Sequence, residues 1–276
     1  MTLPSDLIFS QTSLQDLVDC RRRFQLRHLE QLAWPAIESE PVLENEKRMR
    51  AGSQFHKLAH QYVLGLPVDR LTALAGEGQL ADWWLAFLQS GLVDQPGQKY
   101  PERLLSCTIA GHRLVAKYDL LLKSDGDKWV IYDWKTGRYT PKRETLERRM
   151  QTIIYPLVLV EAGHVLNEGN AVLPSQIEMN YWYAEDPGTT ISFPYSDEQY
   201  TRDRAYIENT IEELKLLREE DFPLTTEKRR CEYCVYRSLC GRGEAAGTGD
   251  YEEIAELLEP SEEVEIDFEQ LAEVEF

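Results

Sequence analysis

The chain lacks three kinds of segment that would each narrow its function. No apolar run approaches the ~20 residues of a membrane-spanning helix. The first residues show no basic start followed by an apolar stretch, so a secretory signal is not expected. The phosphate-binding pattern G-x-x-x-x-G-K-[ST] is also missing, so any ATP-driven motor would be a separate protein. We therefore predict a cytoplasmic protein that makes no membrane contact.

Basic residues are scarce, since 30 Lys and Arg stand against 48 Asp and Glu and give a net charge of −18. The excess is uneven, because residues 251–276 contain eleven acids and no Lys or Arg, which leaves −18 + 11 = −7 for residues 1–250. Local basic patches and metal ions can therefore still contact phosphate. The basic residues form short clusters at Arg21–Arg23, Lys47–Arg48, Lys142–Arg143, Arg148–Arg149 and Lys228–Arg230.

Cysteine is scarce as well, with five in the chain. Cys231, Cys234 and Cys240 are spaced C-x₂-C-x₅-C, which without an export signal indicates metal binding rather than disulfides. A fourth ligand must come from elsewhere, and Cys20 is the candidate, whereas Cys107 is interpreted as a small core residue in a strand. Four cysteines suit either tetrahedral Zn²⁺ or a [4Fe–4S] cluster, and spacing alone does not separate the two.

The most informative stretch is a predicted hairpin. Residues 114–123 and 129–134 are rich in β-branched, aromatic and aliphatic side chains, and Ser124-Asp125-Gly126-Asp127 between them is typical of a turn.

Charged side chains converge at the end of this hairpin. Asp133 and Lys135 share one face of their strand, and in-register pairing would bring Asp119 to the same place. Carboxylate oxygens suit Mg²⁺ or Mn²⁺, and a lysine can polarise the attacking water or stabilise developing charge. The hairpin therefore predicts a divalent-cation site beside a phosphate.

The rest of the pattern predicts helices around this sheet. We predict a helix capped by Ser13 that contains Cys20, and a charged helix that begins after Ser196 and ends near Glu220. Further helices are predicted over residues 44–64, 79–89 and 144–162, the last kinked or interrupted at Pro156. Further strands are predicted over residues 103–109, 177–184 and 190–194.

These residues resemble a known family. Asp119 followed by Asp133-Trp134-Lys135 resembles the PD-(D/E)XK nuclease signature, and the continuation to Gly137 is similar to its RecB-like branch. Gly52-x-x-x-His56 resembles the family's G-x-x-x-H element, although His56, like His60, could be an ordinary helix-face histidine. Gln151-x-x-x-Tyr155 resembles its Q-x-x-x-Y element, and Glu102 matches an acidic position.

The resemblance implies roles for these residues. His56, Asp119, Asp133 and the Trp134 carbonyl would bind Mg²⁺ or Mn²⁺. Lys135 would orient or deprotonate water, while Gln151 and Tyr155 would position the substrate strand. Cys20 together with the C-x₂-C-x₅-C segment is similar to the iron staple of RecB-like exonucleases, including those of CRISPR adaptation and the AddB nuclease domain, which favours [4Fe–4S] over zinc.

The implied fold is an α/β restriction-endonuclease-like core, a mixed sheet flanked by helices, with an N-terminal helical lobe. We predict one domain over residues 1–250, with the lobe at about 10–92, the core at about 100–220, and the four cysteines joining the two ends. Residues 251–276 are predicted to be a disordered acidic tail, although their regularly placed apolar residues would also suit a docked mimic of DNA.

The implied function is a metal-dependent DNA exonuclease on single-stranded or flayed ends. It would act in DNA repair, recombination or CRISPR adaptation, with a separate helicase or CRISPR integration proteins as partners. Lys117, where the family usually has Gly, could pair with Asp119 and weaken metal binding. That leaves open a catalytically weak DNA-binding accessory subunit with the same fold and cluster. A zinc-stapled structural module is a third reading, which leaves the Asp119, Asp133 and Lys135 set unexplained.

Overall fold

The predicted fold class, a mixed sheet flanked by helices, is confirmed. In this computed structural model the described residues are 3–4, 6–33, 41–218, 221–232 and 234–243. They form a mixed six-stranded sheet covered by helices. No helix among the described residues has the length and apolar character needed to cross a bilayer. The acidic segment 251–276 lies outside the described residues, so its predicted disorder or docking stays a prediction, as does the single-domain division.

The elements follow one another along the chain in a simple order. They are β1 (Ile8–Phe9), α1 (Gln11–Asp19), α2 (Arg21–Phe24), α3 (Pro41–Val63), α4 (Val68–Ala75), α5 (Gln79–Ser90), β2 (Gln98–Ile109), β3 (His112–Lys123), β4 (Trp129–Lys135), α6 (Arg143–Glu147), α7 (Met150–Ala162), β5 (Ile177–Tyr183), β6 (Asp186–Pro194), α8 (Asp197–Leu216) and α9 (Lys228–Glu232). A π-helical turn at Gln25–Leu29 follows α2, and 3₁₀ turns lie at Leu92–Asp94, Gly163–Leu166 and Pro174–Gln176.

Strand β3 is the centre of the sheet. It pairs antiparallel with β2 along nearly its whole length. Its other edge pairs with β1 near its start and with β4 at Leu120–Lys123. Strand β5 then runs parallel to β4, and β6 pairs antiparallel with β5. The predicted hairpin is therefore confirmed, and its two strands separate beyond Leu120 and Tyr132.

Two apolar clusters cover the faces of the sheet. Helices α1, α7 and α8 pack on one face through a cluster that includes Tyr118 and Ile131. Helices α3, α4 and α5 pack on the other face through buried aromatic residues such as Trp84 and Phe87 of α5. The sheet thus has a helix layer on each side, and both layers reach the end of β4.

Some predicted boundaries were wrong. Helix α1 is capped by Ser10, because the Ser10 and Ser13 hydroxyls each accept a hydrogen bond from the other residue's backbone N–H. Cys20 lies outside the helix in an extended conformation. The predicted helix over residues 144–162 is two helices, because Arg149 adopts an extended conformation, and Pro156 lies inside α7 without interrupting it.

Other elements differ from prediction by omission or extent. Strand β1 and helix α4 were not predicted. Strand β2 begins five residues before the predicted start at residue 103, and α8 ends at Leu216 instead of residue 220. Ser196 is the N-cap of α8, as predicted, and its hydroxyl accepts from the Gln199 N–H.

Candidate active site

Asp119 occupies the point where β3 and β4 part. It directly precedes the residues of β3 that pair with β4, and its Oδ2 accepts a hydrogen bond from the Trp134 backbone N–H at 2.8 Å. Its Oδ1 lies 3.1 Å from Nδ1 of His56 on α3. Burial would raise the pKa of Asp119, but His56, the Trp134 N–H and the Lys135 charge together hold it below its ordinary value. The carboxylate is therefore ionised at neutral pH.

Three potential metal ligands meet at this point. Ligand atoms of His56, Glu102 and Asp119 all lie within 4.8 Å of one another. The register of β2 and β3 places Glu102 opposite Asp119, and Glu102 adopts a left-handed conformation with φ 50°. One imidazole nitrogen and two carboxylate oxygens fit Mn²⁺ or Mg²⁺. The sequence had matched Glu102 to an acidic position without giving it a role.

Asp133 and Lys135 form a second group with Gln151 on the α7 side of the sheet. The Lys135 Nζ lies 2.9 Å from Asp133 Oδ2 and donates to Gln151 Oε1 at 2.8 Å. The Gln151 Nε2 donates to Asp133 Oδ1 at 2.6 Å. Among the described residues, Asp133 is outside the three-atom cluster of His56, Glu102 and Asp119. The two groups are neighbours, because the Lys135 charge acts on Asp119.

Tyr155 lies beneath this second group. Its side chain is buried, and its hydroxyl is hydrogen-bonded to Gln151. The Tyr118 hydroxyl donates to the Tyr155 carbonyl at 2.9 Å, and the two rings are 5.0 Å apart. Burial raises the pKa of Tyr155 well above its ordinary value, so the phenol stays neutral. Tyr155 therefore supports Gln151 from inside the fold.

Comparison with known proteins decides the family. The model described as the PD-(D/E)XK nuclease superfamily matches residues 8–241. The chain belongs to the PD-(D/E)XK nuclease superfamily. Members of this superfamily are metal-dependent nucleases, and the His-Glu-Asp cluster has the ligands such an enzyme needs.

Two solved structures are similar to this nuclease. The protein SSO0001 has a TM-score of 0.39 and 13% identity, with 86% of this chain and 87% of that chain covered. A protein of Eubacterium rectale described as a "Putative exonuclease" has a TM-score of 0.47 and 12% identity, with 76% of this chain and 80% of that chain covered. The comparison with curated proteins found no match.

Gly52 allows α3 to approach the end of β4 in this nuclease. A Cβ atom at this position would lie 2.8 Å from the Thr136 Oγ1. One turn earlier on the same helix, the Arg48 guanidinium donates to the Thr136 carbonyl at 3.0 and 3.1 Å and pairs with Glu185 at 2.6 Å. His56 follows Gly52 by one turn, so this contact sets the distance of His56 from the strand.

We expect Gly52→Ala to lower both thermal stability and Mn²⁺ affinity. Alanine normally stabilises a helix interior by about 1 kcal/mol relative to glycine, but here the added methyl group must displace Thr136 or α3. The Gly52→Ala/Thr136→Ala double variant should recover, because the clashing hydroxyl is removed. Unfolding temperature and Mn²⁺ titration measure both effects, and a Gly52→Ala protein more stable than wild type would contradict the contact.

The four predicted cysteine ligands come together from the two ends of the described chain. Cys20 lies between α1 and α2, and Cys231 is in α9. Burial raises the pKa of the Cys240 thiol, and the other three thiols raise it further. At the same junction the Tyr236 hydroxyl donates to the Leu32 carbonyl at 2.9 Å. By contrast, burial raises the pKa of Cys107, in β2, to about 12.

A buried ion-pair network borders these cysteines. The Arg23 guanidinium lies 2.7 Å from both Asp16 and Asp19. Arg230, which precedes Cys231, also pairs with Asp19. The predicted basic patch at Arg21–Arg23 is thus partly structural, because the Arg23 side chain is only 11% exposed. The network joins the N-terminal helices to the cysteine segment.

Asp16 should make this network sensitive to acid. Burial would raise the pKa of Asp16, but the His28 hydrogen bond and the Arg23 and Arg27 charges hold it below 3.8. A lowered pKa stabilises the fold above the unfolded-state pKa of ~3.9, and the stabilisation is lost as pH falls through the folded-state pKa. We therefore expect Asp16→Asn to lower the free energy of unfolding by about 3 kcal/mol at neutral pH.

That difference should persist down to about pH 4 and shrink below it. Denaturant unfolding at a series of pH values measures it. Asp125→Asn, at the exposed turn between β3 and β4, is the control and should differ little from wild type at any pH. An Asp16→Asn difference that stays constant below pH ~3 would contradict the assignment.

Proposed function

We propose that this nuclease hydrolyses DNA with Mg²⁺ or Mn²⁺, as an exonuclease on single-stranded or flayed ends. The observation that carries the proposal is the pair of adjacent groups at the parting of β3 and β4: a His-Glu-Asp ligand cluster and a lysine held by Asp133 and Gln151. The preference for strand ends rests on the resemblance of the motifs to the RecB-like branch.

The metal ligands in this proposal are His56, Asp119, Asp133 and the Trp134 carbonyl. The N–H and C=O of one strand residue point toward the same neighbour, so the Trp134 N–H bound to Asp119 directs its carbonyl toward the same side. Asp133 would reach the ion from the α7 side. A bound Mg²⁺ or Mn²⁺ would lower the pKa of water and offset phosphate charge.

Lys135 is the residue proposed to orient the attacking water or to remove its proton. Asp133 and Gln151 fix its ammonium by contacts of 2.9 and 2.8 Å. The Lys135 side chain is 20% exposed, so its ammonium can still reach a substrate. Gln151 accepts from Lys135 and donates to Asp133, so both ends of its amide are used. We propose that Gln151, supported by Tyr155, positions these two groups and through them the substrate strand.

We propose that Cys20, Cys231, Cys234 and Cys240 bind one [4Fe–4S] cluster. Tetrahedral zinc with bonds of ~2.3 Å would bring cysteine sulfurs within about 4 Å of one another. Among the described residues, no three of these sulfurs lie within 4.8 Å of one another, which suits a larger group. Burial raises the pKa of the Cys231 thiol above its ordinary value, and the neighbouring charges of Arg242 and Arg23 offset part of that rise.

The proposal is tested with protein purified without oxygen. Mn²⁺ and end-labelled single-stranded DNA are added, and the products are resolved by size. Stepwise shortening from an end is expected, with little cutting of a closed circular single strand. Cleavage of the circle at a similar rate would identify an endonuclease, and products from RNA alone would exclude DNA as the substrate. Repair and CRISPR adaptation, with a separate helicase or integration proteins as partners, are both consistent with such an activity.

A DNA-binding accessory subunit that cleaves poorly is the second candidate. One observation favours it: the Lys117 Nζ lies 2.7 Å from Glu102, a residue of the ligand cluster, and so competes with a cation there. Tight binding of single-stranded DNA with no product at any Mn²⁺ concentration would identify this function.

A further inference from the structure

Glu102 is placed to bind the metal, a role that its match to an acidic position of the family did not assign. It belongs to the cluster with His56 and Asp119. Its left-handed backbone conformation, φ 50°, is uncommon for a non-glycine residue inside a strand. Such outliers persist where the surrounding structure holds them, and they concentrate at functional sites.

Lys117 is the cation beside Glu102. It lies two positions before Asp119 on β3 and therefore shares its face, and it is a diagonal cross-strand neighbour of Glu102. Its Nζ lies 2.7 Å from Glu102 Oε2. The Lys117 side chain is 38% exposed and the Glu102 side chain 21%. The ammonium thus lies on the solvent side of the ligand cluster, where a phosphate would approach.

The formal charges of the site show how the pair of Glu102 and Lys117 affects binding. Glu102, Asp119 and Asp133 supply three negative charges, and Lys117 and Lys135 supply two positive ones, so the site carries −3 + 2 = −1. A bound divalent cation makes it +1, which attracts a phosphodiester. Without Lys117 the metal-bound site would be neutral, so Lys117 weakens metal binding and strengthens substrate binding.

We propose that Glu102 binds the divalent cation with His56 and Asp119, and that Lys117, displaced from Glu102, then binds a phosphate of the substrate strand. The inference rests on the proposed function, since it assigns two more residues to the same site. Lys117 is then a substrate-binding residue, whereas its position in the sequence suggested only that it weakens metal binding.

The first test measures direct binding of Mn²⁺ to the protein. The electron paramagnetic resonance signal of the free ion is the readout. Lys117→Met should lower the Kd for Mn²⁺ about tenfold, because it removes one positive charge that repels the ion at short range. Glu102→Gln should raise it about tenfold, because one carboxylate ligand is lost. In the Glu102→Gln background, Lys117→Met should change the Kd less than about threefold, because the two residues are coupled.

Lys123→Met is the matched control. Lys123 lies on the same strand at the far end, where its Nζ donates to Asn167 at 2.8 Å. Its replacement should leave the Mn²⁺ affinity unchanged. A similar gain in affinity for this variant would mean that overall charge, and not position, controls metal binding, and would overturn the proposal.

The second test measures the affinity of a 15-nucleotide oligothymidylate for protein loaded with Ca²⁺. A gel shows that the strand stays intact. Lys117→Met should weaken this binding about fivefold and reduce the slope of log affinity against log salt by about 1. Metal and DNA affinities therefore change in opposite directions. A damaged fold would lower both.

Three results would overturn the proposal: an unchanged Mn²⁺ affinity in Lys117→Met, an unchanged affinity in Glu102→Gln, or an unchanged salt slope for DNA. Failure of the proposed function looks different. If the variants show all these binding changes but the wild-type protein never cleaves DNA, this inference stands and the proposed nuclease activity fails. If the wild-type protein cleaves DNA but the variants bind metal and DNA as wild type does, only this inference fails.

Discussion

Lys135→Met will lower the rate at which end-labelled single-stranded DNA is shortened by about 10³-fold, within the range by which positioned acid–base and electrostatic groups accelerate reactions. Asp133 and Gln151 hold the Lys135 ammonium at the end of β4, where the side chain is still partly exposed. Methionine keeps the length of the side chain but removes the charge and all three donors. Single-turnover rates at saturating Mn²⁺ measure the effect.

Loss of folding must be separated from loss of chemistry. In Lys135→Met the Asp133 carboxylate, in a residue only 4% exposed, loses its counter-charge, which commonly costs 3–5 kcal/mol in a fully buried pair. The double variant Asp133→Asn/Lys135→Met removes both charges and should recover much of the stability while staying inactive. Lys123→Met should be nearly as active as wild type. A Lys135→Met enzyme within tenfold of wild type would contradict the catalytic assignment.

Asp119→Asn should reduce cleavage as severely as Lys135→Met, and the two changes together should cost little more than either alone. Residues that act as one catalytic unit are strongly non-additive. The geometry gives the reason, because the Lys135 charge acts on Asp119 across the gap between β3 and β4. Additive losses would mean that the two groups serve separate steps.

The sequence predicted the parts of the site that depend on local periodicity. Alternation along a strand placed Asp133 and Lys135 on one face, and helical spacing placed Gln151 and Tyr155 on one face of α7. Both pairs meet in the structure, since Gln151 contacts Asp133, Lys135 and Tyr155. The strand period of two and the helix period of about 3.6 residues are properties of the backbone, so no tertiary information was needed.

The sequence could not predict where strands separate. Asp119 binds the Trp134 N–H because the ladder between β3 and β4 ends at the pair Leu120 and Tyr132. Glu102 reaches the cluster through a left-handed conformation that a strand pattern does not indicate. The sequence indicated that Lys117 could pair with Asp119, but it gave no sign of the ion pair that Lys117 makes with Glu102. The diagonal contact depends on the register of β2 with β3, which is set by the whole sheet.

The helix boundary at Cys20 was missed for a related reason. Nothing in the residues from Gln15 to Phe24 interrupts a helical pattern, yet Cys20 is extended between α1 and α2. The break lies beside the ion pairs that join Asp19 to Arg23 and to Arg230. Arg230 is 211 positions away from Asp19 along the chain. A contact of that range overrides local helix propensity.

Replacement of any one of the four cysteine ligands by alanine should remove the brown colour that a [4Fe–4S] cluster gives and lower the free energy of unfolding. The cluster would close a loop of 231 − 20 = 211 residues. On the chain-entropy model a cross-link of that length removes on the order of 5 kcal/mol of unfolded-state freedom. That is comparable to the net stability of a whole domain.

The measured loss should be smaller than this figure, because the pair between Arg230 and Asp19 and the bond from Tyr236 to Leu32 already hold the two ends together. Cys231→Ala combined with Arg230→Gln should therefore lose more stability than the two single changes added together, since each closure alone still restricts the loop. Cys107→Ala is the control and should keep both colour and stability, because its thiol is neutral and lies in β2. Iron and zinc analysis of anaerobically purified protein decides the identity of the metal. Stoichiometric zinc without iron would exclude the cluster. The coupling between Cys231 and Arg230 would still be expected, because it depends on loop closure and not on which metal closes the loop.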